Sequence, residues 1–224
     1  MTTIGSLNEK PLHASLKEWY RQEGGRVEVA VDGFVVDLVR DGLLIEIQTR
    51  NFASMRRKLD RLLDSHMMRL VHPVAATKWI VKLDQDGSEI SRRRSPKRGI
   101  AADVCEELVS FPSLLSHPNF TLEIALIEEE EIRRPDVEKG WRRGGFVIEE
   151  RRLVDVLETV ELDSPEELLG LLPEGLPDPF TTADLADGLG RSRHLAREVA
   201  YCIRVSGAVE TVGRDKRGIL YQLP

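Results

Sequence analysis

Apolar positions Leu12, Leu16, Trp19 and Tyr20 recur at helical spacing and predict an amphipathic helix over residues 8–23. Asn8 is its cap, Pro11 fits the first turn, and Gly24-Gly25 stops it. The pattern then changes to short β-type runs over 27–31, 34–39 and 43–49. Asp32-Gly33 and Asp41-Gly42 separate them, and both dipeptides are hairpin signals. A second helix is predicted over 51–66, with Phe52, Met55, Leu59, Leu62 and Leu63 inward and Arg56, Arg57, Lys58 and Arg61 outward. Residues 69–74 read as a fourth strand. The order α-β-β-β-α-β, with a right-handed crossover, makes strands three and four parallel.

Beyond this core the pattern predicts strands over 77–83, 120–127 and 146–148, with 91–99 as an exposed loop. The run Glu128 to Glu131 reads as a solvated face, and Trp19 and Trp79 read as core. A short helix starts at Ser164-Pro165, and three prolines between Pro173 and Pro179 mark a linker. Helices over 182–189 and 192–206 follow, then a hairpin of 209–212 with 219–223. The expected organisation is an α/β domain over 1–172 and a small second domain over 180–224.

Asp37 and Glu46 break this picture of plain core strands. Each sits among Val, Leu and Ile on a neighbouring strand, where a buried carboxylate needs a cation or hydrogen-bond donors. Side chains alternate along a strand, so Glu46, Gln48 and Arg50 share a face and Asp37 faces Glu46 across the ladder. Two convergent carboxylates suit a hard cation such as Mg²⁺ (or Mn²⁺), with water and phosphate completing its shell. A salt-bridged pair with Arg50 or Arg26 is the structural alternative.

Composition narrows the classes. No apolar run approaches the length of a membrane span, and the two cysteines, Cys105 and Cys202, lack metal-ligand or disulfide-framework spacing. A cytoplasmic protein is expected. The net charge of −6 is unevenly spread: residues 50–98 carry +8 and residues 99–179 carry −13. The basic stretch is a candidate phosphate-contacting surface, with Arg50, Arg56 and Arg57 nearest the carboxylates.

Two resemblances follow from these residues. The α-β-β-β-α-β order, with Asp37 on strand two and Glu46-Ile47-Gln48 on strand three, resembles the PD-(D/E)XK nuclease superfamily over residues 5–75. The resemblance implies a restriction-endonuclease-like core with Mg²⁺ on Asp37 and Glu46, and Gln48 orienting the attacking water. It also implies a helical acid, Glu9 or Glu18; Glu9 is preferred because it shares a stripe with His13. Gln48 stands where the family most often has lysine, and Val36 stands where a proline is usual. The helix, turn, helix, hairpin order of the last 45 or so residues resembles the winged-helix family. That implies nucleic-acid contacts from Arg193, His194, Arg197 and Arg204 on the second helix, and from Arg214, Lys216 and Arg217 on the wing.

The leading expectation is thus a metal-dependent DNA endonuclease, a phosphodiester hydrolase whose winged helix recruits substrate. Homodimerisation is expected by analogy with nucleases that cut both strands. Beside it stand a non-catalytic DNA-binding or regulatory protein on a degenerate nuclease fold, and a protein-interaction scaffold docking through the acidic residues 99–179.

Overall fold

The computed structural model describes residues 10–21, 24–136 and 138–224. Glu9, the expected helical acid, lies outside the described residues. Helix α1 (Pro11–Arg21) leads into strands β1 (Arg26–Val31), β2 (Phe34–Arg40) and β3 (Leu43–Ile47). Both connecting turns place Asp and Gly at positive φ, Asp32-Gly33 at 47° and 84° and Asp41-Gly42 at 50° and 82°. Two left-handed residues in succession match the right-handed twist of a tight hairpin, which is why these dipeptides are informative.

A 3₁₀ turn over Phe52–Met55 and helix α2 (Arg56–Leu62) connect β3 to β4 (Met68–Leu83). β3 and β4 run parallel, with Leu44 opposite Met68 and Ile47 opposite Val71. The remaining elements are β5 (Glu89–Arg94), α3 (Cys105–Leu108), β6 (Phe120–Pro135), β7 (Phe146–Leu162), α4 (Thr182–Leu189), α5 (Arg193–Val205), β8 (Glu210–Asp215) and β9 (Gly218–Gln222). One seven-stranded sheet has the order β1-β2-β3-β4-β6-β7, with β5 paired to the outer half of β4. β8 and β9 form a separate hairpin.

Leu44 belongs to one buried cluster and its neighbours Ile45 and Ile47 to another, so the sheet is covered on both faces. On one face Leu12, Leu16 and Tyr20 of α1 pack on Leu38, Ile45 and Val71. On the other, Phe52, Leu59 and Leu62 pack on Leu70, Phe120 and Leu122. The expected linker and second domain do not give a separate core. Leu185, Leu195, Val199 and Ile203 belong to the same cluster as Leu59 and Leu108, and the Cys202 thiol lies 3.9 Å from the Cys105 carbonyl.

The sheet extends further than the apolar pattern predicts. The expected strands 69–74 and 77–83 are one 16-residue strand, and β6 and β7 are 16 and 17 residues long. Part of the expected loop over 91–99 is strand β5. The expected solvated run Glu128 to Glu131 lies inside β6, where Glu129 and Glu131 are buried at 2% and 4% exposure. Their charges are compensated from β4 and from β6 itself: Lys78 Nζ lies 2.9 Å from Glu129, and Arg133 pairs with Glu131 at 2.5 Å. On the opposite side of the same strand, Trp79 Nε1 donates to Glu128 at 2.5 Å and Arg92 pairs with Glu130 at 3.1 Å. Of the two tryptophans assigned to the core, Trp79 is half-buried and Trp19 is exposed.

Candidate functional site

β2 loses its regular alternation at Asp37. Val36 and Leu38, two residues apart, belong to clusters on opposite faces of the sheet, and on the adjacent strand Glu28 has a positive φ of 52°. The β2–β3 ladder runs from Arg40↔Leu43 to Leu38↔Ile45 and stops there. Asp37 and Glu46 are the next positions, and their carboxylates replace the missing ladder bonds. Asp37 Oδ2 accepts the Ile47 N–H at 2.9 Å, and Glu46 Oε2 accepts the Asp37 N–H at 3.3 Å.

Each carboxylate is then held by a different helix. His13 of α1 places Nε2 3.0 Å from the Ile47 carbonyl and 3.2 Å from Asp37 Oδ2. A carbonyl can only accept, so Nε2 carries a proton and donates to both. From the other face of the sheet, Lys58 of α2 donates to Glu46 Oε2 at 2.5 Å and to the Val35 carbonyl at 2.6 Å. Lys58 and Glu46 are 12% and 10% exposed, so this is a buried ion pair, fixed at three points.

The electrostatics are asymmetric. Burial alone would raise the Asp37 carboxyl, but the His13 hydrogen bond and charge, the Ile47 N–H and Lys58 outweigh it and hold Asp37 below its usual value. Glu46 is pushed up, by burial first and then by the Asp37 charge, against the opposing pull of Lys58. His72, on β4 behind the site, is pushed down by burial and donates from Nδ1 to the Gln48 carbonyl at 2.8 Å.

This geometry overturns the expected metal centre. Among the described residues, no group of three or more His, Cys, Asp or Glu side chains is placed to hold a metal ion. Asp37 and Glu46 do come together, but Asp37 Oδ2 is taken by the Ile47 N–H and His13, and Glu46 Oε2 by the Asp37 N–H and Lys58. A covalently tethered ammonium already supplies the positive charge a divalent cation would bring. Among the described residues the two carboxylates gain no third His, Cys, Asp or Glu ligand for Mg²⁺ or Mn²⁺, so the expected metal-dependent endonuclease, and with it the hydrolase activity, is corrected. Gln48 does not face the pair either: its amide donates to the Arg50 carbonyl at 2.6 Å and ties down the turn after β3. The sequence pattern turned Lys58 outward. Its position at i+3 from Met55 and i−4 from Leu62, on the apolar stripe of the helix, was the signal that could have placed it inward.

The expected nucleic-acid contacts lie elsewhere on the surface. Arg50, Arg56 and Arg57 are exposed. Arg56 and Arg57, with Arg61, Ser54, Phe34 and Asp32, line an open groove of about 920 Å³, and Arg56 also donates to the Ser110 carbonyl at 2.9 Å. Ser192 caps α5 by accepting the Leu195 N–H at 3.2 Å. The helix buries Leu195, Ala196, Val199, Ala200, Cys202 and Ile203, and leaves Arg193, Arg197, Tyr201 and Arg204 as one exposed stripe. Arg204 lies over the Tyr201 ring at 5.7 Å. Lys216 is exposed on the β8–β9 turn, whereas Arg217 pairs with Asp184 of α4 at 2.6 Å and braces the hairpin against that helix.

A family profile described as "Domain of unknown function (DUF8091)" matches residues 10–163, well over half of the chain. The chain belongs to the DUF8091 family. The profile spans α1 to the end of β7 and therefore contains Asp37, Glu46, Lys58 and His13. A protein of Treponema pallidum (strain Nichols), carrying the name "Uncharacterized protein", is 34% identical to this DUF8091 member over 185 residues, covering 82% of this chain and 74% of the relative. No solved structure gives a significant match to the chain. Among the described residues, no helix of this DUF8091 member is long and apolar enough to cross a membrane.

Proposed function

We propose that this chain binds nucleic acid, duplex DNA in the first instance, without cutting it. In this reading the core is a relative of the PD-(D/E)XK architecture whose catalytic pair has become a structural brace, and the C-terminal unit acts as a winged helix. The element order α1-β1-β2-β3-α2-β4, with β3 parallel to β4, supports the first part. The order α4-α5-β8-β9 supports the second. The proposal places the chain in the cytoplasm, where its two free, buried thiols stay reduced.

One observation carries the reading. The solvent side of α5 presents Arg193, Arg197, Tyr201 and Arg204 at intervals of four, four and three, an uninterrupted basic and aromatic stripe with no acid in it. The opposite side of the helix is fixed in the common core. Such a row of cations on a helix anchored in the core, with Lys216 also exposed on the hairpin turn, offers several phosphate contacts from one fixed face.

Fluorescence anisotropy with a labelled duplex over a range of salt concentrations tests this. The affinity should fall steeply with salt, and replacing both Arg193 and Arg197 by Ala should lower the slope of log K against log[salt] by about 0.9 for each phosphate no longer neutralised. A wild-type chain with no affinity for duplex at low salt refutes the proposal. So does affinity that is indifferent to salt and to both substitutions.

A further inference from the structure

The hairpin that joins β6 to β7 ends in a hydrogen-bonded turn with an unexplained tryptophan. Asp136 and Gly145 close it through a 2.8 Å bond from the Asp136 N–H to the Gly145 carbonyl. Inside, the Gly140 N–H donates to the Asp136 carbonyl at 2.8 Å, the Arg143 and Gly145 N–H groups donate to the Gly140 carbonyl at 2.8 and 2.9 Å, and the Lys139 N–H donates to Asp136 Oδ1 at 2.9 Å. A Cβ on Gly140 would lie 2.4 Å from both the Asp136 oxygen and the Phe146 nitrogen, so the turn admits only glycine there. These bonds are made by backbone groups and Asp136 alone, and none of them involves the Trp141 side chain.

Trp141 nevertheless points outward at 70% exposure, the most exposed large apolar side chain among the described residues. The Arg142 guanidinium sits over its ring at 4.8 Å. Lys139 and Arg143 are exposed beside it, and among the described residues no carboxylate pairs with Lys139, Arg142 or Arg143. An exposed aromatic face on a hydrogen-bonded turn, with one cation over it and two more in the same turn, has the chemistry of a nucleobase platform flanked by phosphate contacts.

We propose that this tip is a single-strand contact: Trp141 stacks on an unpaired base while Lys139, Arg142 and Arg143 neutralise the adjoining phosphates. The proposal rests on the nucleic-acid reading above and adds a second, separate surface to it. The tip lies at the far end of the long strands, and the Val71–Leu83 stretch of β4 alone spans roughly 40 Å at about 3.3 Å per residue. An anionic membrane is the weaker partner, because a lone aromatic residue beside Glu138 gives little apolar area to insert.

The full-length chain is titrated with oligothymidylate and, separately, with duplex, following tryptophan fluorescence and anisotropy. Trp141→Ala should weaken oligothymidylate binding roughly fivefold to hundredfold, the worth of one stacked base, and abolish the quenching attributable to that residue. Duplex affinity carried by α5 should stay unchanged, and Trp141→Tyr should keep most of the single-strand affinity. Oligothymidylate and duplex both bound, with neither affected by Trp141→Ala, overturns this proposal and leaves the DNA-binding reading standing. No affinity of the wild type for either probe overturns both. A Trp141-dependent blue shift on phosphatidylserine vesicles, without quenching by oligothymidylate, overturns the proposal in favour of a membrane contact.

Discussion

Replacing Lys58 by Met removes the ammonium from the brace while keeping most of its apolar stem. Glu46 is then left nine-tenths buried beside Asp37 with one backbone N–H as donor. Breaking a buried pair from one side costs about 3–5 kcal/mol. The variant can limit that loss by protonating Glu46. Holding a carboxyl of ordinary pKa about 4.3 neutral costs about 1.4 kcal/mol per pH unit above that value, hence roughly 3.7 kcal/mol at pH 7 and about 1 kcal/mol at pH 5. The lost hydrogen bond to the Val35 carbonyl adds about 1 kcal/mol. The folded-state pKa of Glu46 is already raised and rises further without Lys58. Its contribution is therefore fully present below the unfolded pKa and is lost as pH rises through the folded one. Urea unfolding should show the variant roughly 3–5 kcal/mol less stable than wild type at pH 7 and about 1–2 kcal/mol less stable at pH 5. Adding Glu46→Gln to Lys58→Met should restore about 2 kcal/mol at pH 7 as the coupling within the pair. A loss under about 1 kcal/mol at pH 7, or one that does not shrink on acidification, refutes the brace.

Two further outcomes concern the carboxylate pair and the start of α4. Calorimetric titration of the wild type with Mg²⁺ or Mn²⁺ should give no heat that disappears in Glu46→Ala, because the pair already holds Lys58; Glu46-dependent binding would reopen the metal site. Thr181 caps α4 by accepting the Ala183 and Asp184 N–H groups at 3.2 and 3.4 Å, while Asp184 reaches back to the Thr181 N–H at 2.9 Å. Thr181→Ala should therefore cost about 0.5–2 kcal/mol in chemical denaturation, and an unchanged midpoint would contradict the capping box.

The first third of the chain and the last fifth were legible in the sequence because their signals are local. Asp-Gly dipeptides fix the two early hairpins, and Gly190 and Ser192 separate the two late helices. The middle was not legible, because what holds it lies far away along the chain. Strand β6 carries charges on both faces, and these make sense only beside their partners: Glu123 with Arg69, Glu129 with Lys78, Glu130 with Arg92. Register shifts after Leu126, Glu128 and Ile132 also reset the alternation that marks a strand. The same pairings explain the +8 and −13 segments. Part of that imbalance faces itself across β4, β5 and β6, through Arg69, Lys78 and Arg92, so it overstated the basic surface open to a ligand. At the carboxylates, sequence placed Asp37 and Glu46 together but not what lay between them. Whether a strand carboxylate meets a metal or a lysine is decided by a helix packed over it, and a lysine on an apolar stripe reads by default as solvent-facing.

The parallel pairing of β4 with β6 imposes an order on synthesis. Met68 meets Phe120 and Lys82 meets Arg133, partners about fifty residues apart, so this contact cannot form while the chain is still short. β3 and β5 can close one edge of β4 as soon as they emerge, but the other edge waits for residues 120–135 to leave the ribosome. In that interval a 16-residue strand carrying Val71, Val74, Ile80 and Val81 offers an open row of backbone donors and acceptors to any neighbouring nascent chain. Arg69 and Lys78 stand along that row, and their like charges repel a second copy of the same strand. When β6 arrives, Glu123 and Glu129 take up those two cations. The residues that keep nascent chains apart become the clasp of the finished sheet.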